Sequence, residues 1–166
     1  MSNRSVKPDW YKHSWDHRYF RAYKDVLSED STKQDVDDVE RLLELRPGMR
    51  VLDLCCGAGR HALLLASRGY DVVGIDLSRE LLEVAKREST ADRQTVTWIR
   101  SDMRSIPFTE SFDGVYNICQ SFGYLESEQE DLKVLRSIAG SLRRGGKVLV
   151  EIPNRDFTGT SITAGG

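Results

Sequence analysis

The stretch RVLDLCCGAGRHALLLASRGYDVVGID, Arg50 to Asp76, constrains the fold more than any other part of the 166-residue chain. A short apolar run, Val51 to Leu54, meets a glycine turn and a helical segment, Arg60 to Arg68, and a second apolar run ends in Asp76. Runs this short, apolar throughout, are those of strands covered on both faces. Two such strands lying parallel need a crossover, and the segment between them supplies a helix with Gly69 as its left-handed cap. This is the outline of a nucleotide-binding βαβ unit. Yet Asp53 stands just ahead of the turn, where a loop built for phosphate should avoid negative charge.

The alternation continues downstream. Ser78 can cap a helix through RELLEVAKRE, VTWIRSD reads as a third strand, and FDGVYNIC as a fourth after a loop containing Pro107. Ser127 and Glu130 form a capping box ahead of a helix through Leu132, Leu135, Ile138 and Leu142. Gly145-Gly146 stops that helix before a fifth strand, KVLVEI, at 147–152. Upstream, Ser31 and Gln34 offer a capping box for a helix through Val36, Val39, Leu42 and Leu43, ended by Arg46-Pro47-Gly48. Further upstream, Tyr11, Trp15, Tyr19 and Tyr23 recur every four residues as an aromatic stripe. That stripe serves either as packing against the sheet or as a helical lid, with Tyr11 or Tyr19 near a bound ligand.

Strands alternating with helices predict an α/β chain with a doubly wound parallel sheet of about five strands and N-terminal helices. The expected organisation is a helical segment over 1–46, the sheet domain over 47–154 and a flexible tail over 155–166. Hydrophobic residues make up 39% and charged residues 30%, the balance of a globular chain that buries a core. A net charge of −2 gives no electrostatic reason to bind nucleic acid or an anionic membrane. No apolar run has the length of a membrane span, and the N-terminus lacks a signal-peptide core. Cys55, Cys56 and Cys119 are odd in number and two are adjacent, which points to a reduced cytoplasmic protein.

In an open parallel sheet, ligands bind beyond the carboxyl ends of the strands. Gly57 and Gly59 let the backbone turn sharply and approach a ligand there. Asp76, with Leu77 beside it, is placed for ribose hydroxyls; Asp102 and Met103 are placed for an adenine amine and ring. Asp53 should repel a pyrophosphate but favour the cationic sulfonium and ammonium of S-adenosylmethionine. Between unit charges 4 Å apart that difference is roughly 4 kcal/mol at an intermediate dielectric. Arg60 either pairs the cofactor carboxylate or is a solvated first-turn arginine, and His61 packs, caps or takes part in chemistry. His13 and His17 are candidate general bases. The three thiols either pack near the loop or bind a soft metal or a thiophilic substrate.

The segments VLDLCCGAGRHALLLASRGYDVVGIDLSRELLEVAKRE, IRSDMRSIPF, FDGVYNICQSFGYL and LRRGGKVLVEIPN resemble the successive motifs of class I S-adenosylmethionine-dependent methyltransferases, a Rossmann-like family. The resemblance spans Val51 to Asn154 and departs at Cys55, where the family has a glycine. It implies that Asp53, Gly57 and Gly59 hold the methionine part, Asp76 the ribose, and Asp102 and Met103 the adenine; Cys55, Arg60 and Leu77 are candidate cofactor contacts beside them. It further implies that Asn117, Gln120, Ser121 and Tyr124 wall the site near the transferable methyl. These residues do not read Asn-Pro-Pro-Tyr, the signature of amine methylation on adenine or glutamine, which argues against a nucleic-acid substrate. The cofactor carries the activated methyl, so no catalytic side chain or metal need be visible.

The family's sheet normally has seven strands, whereas this sequence ends soon after the fifth. The expectation is a truncated or short form whose strand 147–152 is an open edge, covered in a homodimer. Two function classes follow: an enzyme methylating a small-molecule acceptor, or a non-catalytic cofactor-binding domain or remnant that needs a partner chain. A nicotinamide dehydrogenase is the distant third.

Overall fold

The computed structural model describes residues 18, 28–91, 95–119, 121–123 and 125–152. Along the chain run α1 (Glu29–Leu43), β1 (Arg50–Leu54), α2 (Arg60–Ser67), β2 (Asp71–Asp76), α3 (Arg79–Ala91), β3 (Val96–Arg100), β4 (Phe112–Asn117), α4 (Glu128–Ser141) and β5 (Leu142–Val150). The sheet is parallel throughout, in the order β3-β2-β1-β4-β5. Strand order therefore reverses at β1, and the crevice between the carboxyl ends of β1 and β4 is the topological switch point. The expected doubly wound α/β architecture with five strands is present.

Two apolar layers sandwich the sheet. On one face Val51, Val72 and Tyr116 pack with Val36, Val39 and Leu43 of α1 and Ala62 and Leu65 of α2. On the other, Leu52, Leu54, Val73, Ile75, Phe112 and Val115 pack with Val134 and Ile138 of α4. Because side chains alternate along a strand, each strand feeds both layers. Burying each such aliphatic side chain contributes about 1.5–3 kcal/mol.

Register draws one row of residues straight across the first face. Asp53 pairs with Gly74 on one side and Tyr116 on the other, Gly74 pairs with Trp98, and Tyr116 with Leu149. Trp98 lies over Gly74: a Cβ built on that glycine would stand 2.4 Å from the indole ring. The same ring reaches Gly59, where a Cβ would also meet it at 2.4 Å and Ala85 of α3 at 3.1 Å. Gly59 is thus a glycine chiefly so that turn, β3 and α3 can close on one another, rather than for approach to a ligand.

Three boundaries differ from the sequence reading. The N-cap of α1 is Ser28, not Ser31; its hydroxyl accepts from Ser31 N at 3.0 Å, which puts Glu29 and Asp30 in the first turn, where the helix dipole favours them. Leu42 is exposed because α1 buries Val36, Val39 and Leu43 instead, and Leu132 and Leu135 are exposed because α4 faces the sheet with Val134, Ile138 and Ser141. Leu142 caps α4 and opens β5, which begins five residues ahead of the expected start. The pairing of β5 with β4 is irregular between Phe112 and Gly114, and Gly145 lies there at φ +83°. The Ser127 cap is as expected, but Glu130 turns outward to Arg104 and Lys133 and does not complete the box.

If Trp98 holds the turn through the two glycines, Gly74→Ala overpacks that contact. Its urea midpoint should fall by the equivalent of about 1–3 kcal/mol, with the slope unchanged.

Candidate functional site: the carboxyl ends of the sheet strands

The turn after β1 is held from β2. Cys55 N and Cys56 N both donate to Ile75 O, at 2.7 and 3.0 Å. Asp76 then accepts from Gly57 N through Oδ2 at 2.8 Å and from Ser78 N through Oδ1 at 2.7 Å. One carboxylate therefore fixes both the glycine turn and the start of α3, and each oxygen keeps a lone pair for a further donor. Burial raises its pKa, while the Ser78, Gly57 and Leu77 backbone groups oppose the rise. Gly57 sits at φ +55° with no side chain closer to an added Cβ than Leu81 Cδ1 at 3.9 Å, so its outer side is open to a ligand. Leu77 O accepts from Arg100 Nε at 3.0 Å.

Cys55 adopts φ +65°, a left-handed conformation that glycine reaches without strain. Its thiol packs 3.8 Å from Met103 Sδ. The cysteine thus takes a backbone conformation suited to glycine and fills space against Met103. Cys56 is buried on the opposite face, its sulfur 3.0 Å from the Cβ position of Gly74. Cys119 is exposed and lies beside Arg60. The three thiols occupy separate surroundings, so the expected joint soft-metal or thiophilic site of Cys55, Cys56 and Cys119 does not form.

Asp53 is not at an open mouth. Only 2% of it is exposed, in the middle of the sheet row and under the first turn of α2. Burial pushes its carboxyl up to about 7; the Tyr116 hydroxyl and the Ala62 amide hold it back from rising further, and Asp76 adds to the rise. Tyr116 Oη faces the carboxyl without completing a hydrogen bond, and neither that oxygen nor Asp53 Oδ2 has a hydrogen-bond partner among the described residues. Asn117 is likewise buried: its amide donates to Leu54 O at 2.7 Å and ties β4 to β1, so it braces the crevice wall rather than facing an acceptor. Asn117 Oδ1 also lacks a partner among the described residues.

Just past the carboxyl end of β3, Asp102 is engaged by Arg104. Oδ1 accepts from the Arg104 backbone N and Nε, both at 2.9 Å, and Oδ2 accepts from Nη2 at 2.6 Å. Arg104 also pairs with Glu130 of α4. Asp102 can take an adenine amine only in addition to this pairing. Arg60 is partly exposed but paired: it donates to Thr32 Oγ1 at 2.7 Å, Asp35 Oδ2 at 3.0 Å and Cys119 Sγ at 3.2 Å. His61 Nε2 shares Asp35 Oδ2 at 3.0 Å. Burial, aided by Arg60, depresses the His61 pKa to about 4, so the imidazole is neutral at pH 7. Ser121 is half-buried. Tyr11, Tyr19, His13, His17, Gln120 and Tyr124 lie outside the described residues.

Tyr116, Trp98, Thr32 and Asp35 did not stand out in the sequence. The alternation in FDGVYN placed Tyr116 on a definite face, but only the register against β1 sets it beside Asp53.

A family model described as a methyltransferase domain matches residues 51–146, more than half of the chain, including the turn and the sheet as far as the first half of β5. The chain belongs to that family. With the strand order and the turn, this makes it a class I S-adenosylmethionine-dependent methyltransferase domain, and S-adenosylmethionine is the cofactor of the class. It is 35% identical over 104 residues to YqeM of Bacillus subtilis (strain 168), a protein classed among the methyltransferases, covering 62% of this chain and 42% of that one. It is 35% identical over 127 residues to a demethylmenaquinone methyltransferase of Renibacterium salmoninarum, covering 76% of this chain and 50% of that one. Among solved structures, PH0226 from Pyrococcus horikoshii OT3 superposes with a TM-score of 0.65 at 28% identity, covering 80% of this chain and 64% of that one. The methyltransferase domain thus spans 42% of the length of the first relative and half that of the second.

The site fits the cofactor. The partnerless Asp53 oxygen suits a cationic group, the open side of Gly57 admits close approach, and Asp76 retains acceptor capacity for two hydroxyls. When bound, S-adenosylmethionine supplies a methyl already activated on a sulfonium.

The buried Asp53 carboxyl makes a signed prediction for the ligand-free protein. Its folded pKa is raised from 3.8 to about 7, so the unfolded chain releases its proton first as pH rises. Asp53 should therefore cost stability progressively from about pH 4 to about pH 7, and Asp53→Asn should gain on the order of 4 kcal/mol over the native protein by pH 8. Urea midpoints of the two proteins measured across that range check it.

Proposed function

We propose that this domain binds S-adenosylmethionine across the carboxyl ends of β1, β2 and β4 and transfers its methyl directly to a small-molecule acceptor. The observation that carries the reading is a buried, partnerless carboxylate oxygen on Asp53 under a glycine turn that Asp76 locks in place. Asp53 would face the cationic methionine portion, directly or through a water, and Asp76 the ribose. Cys55 and Met103 would pack beside the adenine, with Asp102 reaching its amine from the Arg104 pair. This chain's own residues supply position and exclusion of water, which is what a displacement from an activated donor requires. A nematode phosphoethanolamine N-methyltransferase crystallised with S-adenosyl-L-methionine shares the fold, with a TM-score of 0.76 over 95% of this chain. A net charge of −2 supports a small acceptor rather than nucleic acid, and three free thiols support a reducing compartment, the cytoplasm. Among the described residues no helix is long and apolar enough to cross a membrane.

Calorimetry tests the cofactor. S-adenosylmethionine should bind while NAD does not, Asp76→Ala should weaken binding more than about tenfold, and affinity should rise with pH through about 7 as Asp53 ionises. Binding of NAD in place of S-adenosylmethionine would overturn the reading. Formation of S-adenosylhomocysteine with a panel of small acceptors distinguishes an enzyme from a non-catalytic cofactor-binding domain.

The same reading includes a homodimer through β5. Among the described residues, β5 pairs with β4 alone; it ends at Val150 rather than at the expected 152, Val148 on it is 47% exposed, and Ile152 just past it is 63% exposed. A second copy adding its own β5 would satisfy that edge. Light scattering should report a dimer that Val148→Lys converts to a monomer; a monodisperse native monomer at high concentration refutes it.

A further inference from the structure

We propose that Asp35, His61 and Cys119 form a binding site for a thiophilic divalent cation of the Zn²⁺ type. A carboxylate oxygen, an imidazole nitrogen and a thiol sulfur, one from each residue, all lie within 4.8 Å of one another. They come from α1, the first turn of α2 and the loop after β4, so the fold and not sequence proximity brings them together. Mixed nitrogen, oxygen and sulfur donors suit zinc, with a water in the fourth position; magnesium and calcium prefer oxygen alone. Two of the three donors are held in place. His61 is buried with Nε2 3.0 Å from Asp35 Oδ2. Cys119, at φ +61°, is pinned by its backbone N donating to Glu151 Oε2 at 2.6 Å.

The cluster is already bridged by a cation. Arg60 Nη2 lies 3.0 Å from Asp35 Oδ2 and 3.2 Å from Cys119 Sγ, on two of the three donors. The guanidinium marks where positive charge is favoured, and its side chain is partly exposed, so it can swing out to solvent. The exchange balances in charge. Arg60⁺ with Asp35⁻ and a neutral thiol sums to zero, as does Zn²⁺ with Asp35⁻ and a thiolate. Each ion bound therefore releases one proton, from Cys119, and frees one arginine.

The test uses the full chain without cofactor. Zn²⁺ is titrated against a chromogenic chelator, and Co²⁺ is followed by absorbance, with circular dichroism confirming that each variant is folded. One ion per chain should bind, with release of one proton and a near-ultraviolet thiolate-to-cobalt band. Cys119→Ser should abolish the band and weaken Zn²⁺ binding more than about tenfold, whereas Cys55→Ser should keep both. Arg60→Met should tighten binding at least about tenfold by removing the competing cation. No Zn²⁺ binding in the micromolar range by either the native protein or Arg60→Met would overturn the proposal. So would a cobalt band that survives Cys119→Ser, or weaker binding by Arg60→Met. The readout needs no S-adenosylmethionine, so its failure and a failure of cofactor binding are separate results.

Discussion

An acidic side chain sunk into the middle of a sheet face is the constraint around which the site is built. Asp53 shares its row with Trp98, Gly74 and Tyr116, and has the first turn of α2 above it. A group so placed must be neutralised, hydrogen-bonded or offered a cation. The protein does part of each: the carboxyl is raised to about 7, the Tyr116 hydroxyl and the Ala62 amide face it, and one oxygen stays without a partner. The turn above it cannot relax, because Asp76 holds Gly57 and Trp98 fills the space below Gly59. A costly buried charge and a rigid turn thus sit together, which is the usual condition of a preorganised binding site.

Much of this was legible in the sequence. Apolar runs of strand length, glycine and serine punctuation, and acids at strand ends placed all five strands and the turn residues Cys55, Gly57, Gly59 and Asp76. Periodicity did not say which apolar side chains of α4 face the sheet, because Leu132 and Leu135 fit a helical stripe as well as Val134 and Ile138 do. Nor did it separate Ser28 from Ser31 as a cap, since both precede acidic or polar residues at helix-start spacing.

What the sequence could not carry depends on register. The depth of Asp53 follows from how three strands align, and neighbouring letters say nothing about that. Arg60 is the same kind of case. Whether it meets a ligand or α1 is decided by where Thr32 and Asp35 arrive in space, some twenty-five residues earlier in the chain. For Asp102 the sequence shows its place past the third strand but not its company, because Arg104 wraps back onto it from two residues away.

Arg60 stands one residue past Gly59, at the head of the helix that the glycine turn launches, and its far end is clamped by α1. The segment that precedes the sheet in sequence is therefore stitched to the opening turn of α2 by Arg60 and His61, which meet on Asp35, outside the strand ladder. A displacement of α1 would be transmitted through those contacts as torque on the opening turn of α2, and through its apolar face to the strands beneath it.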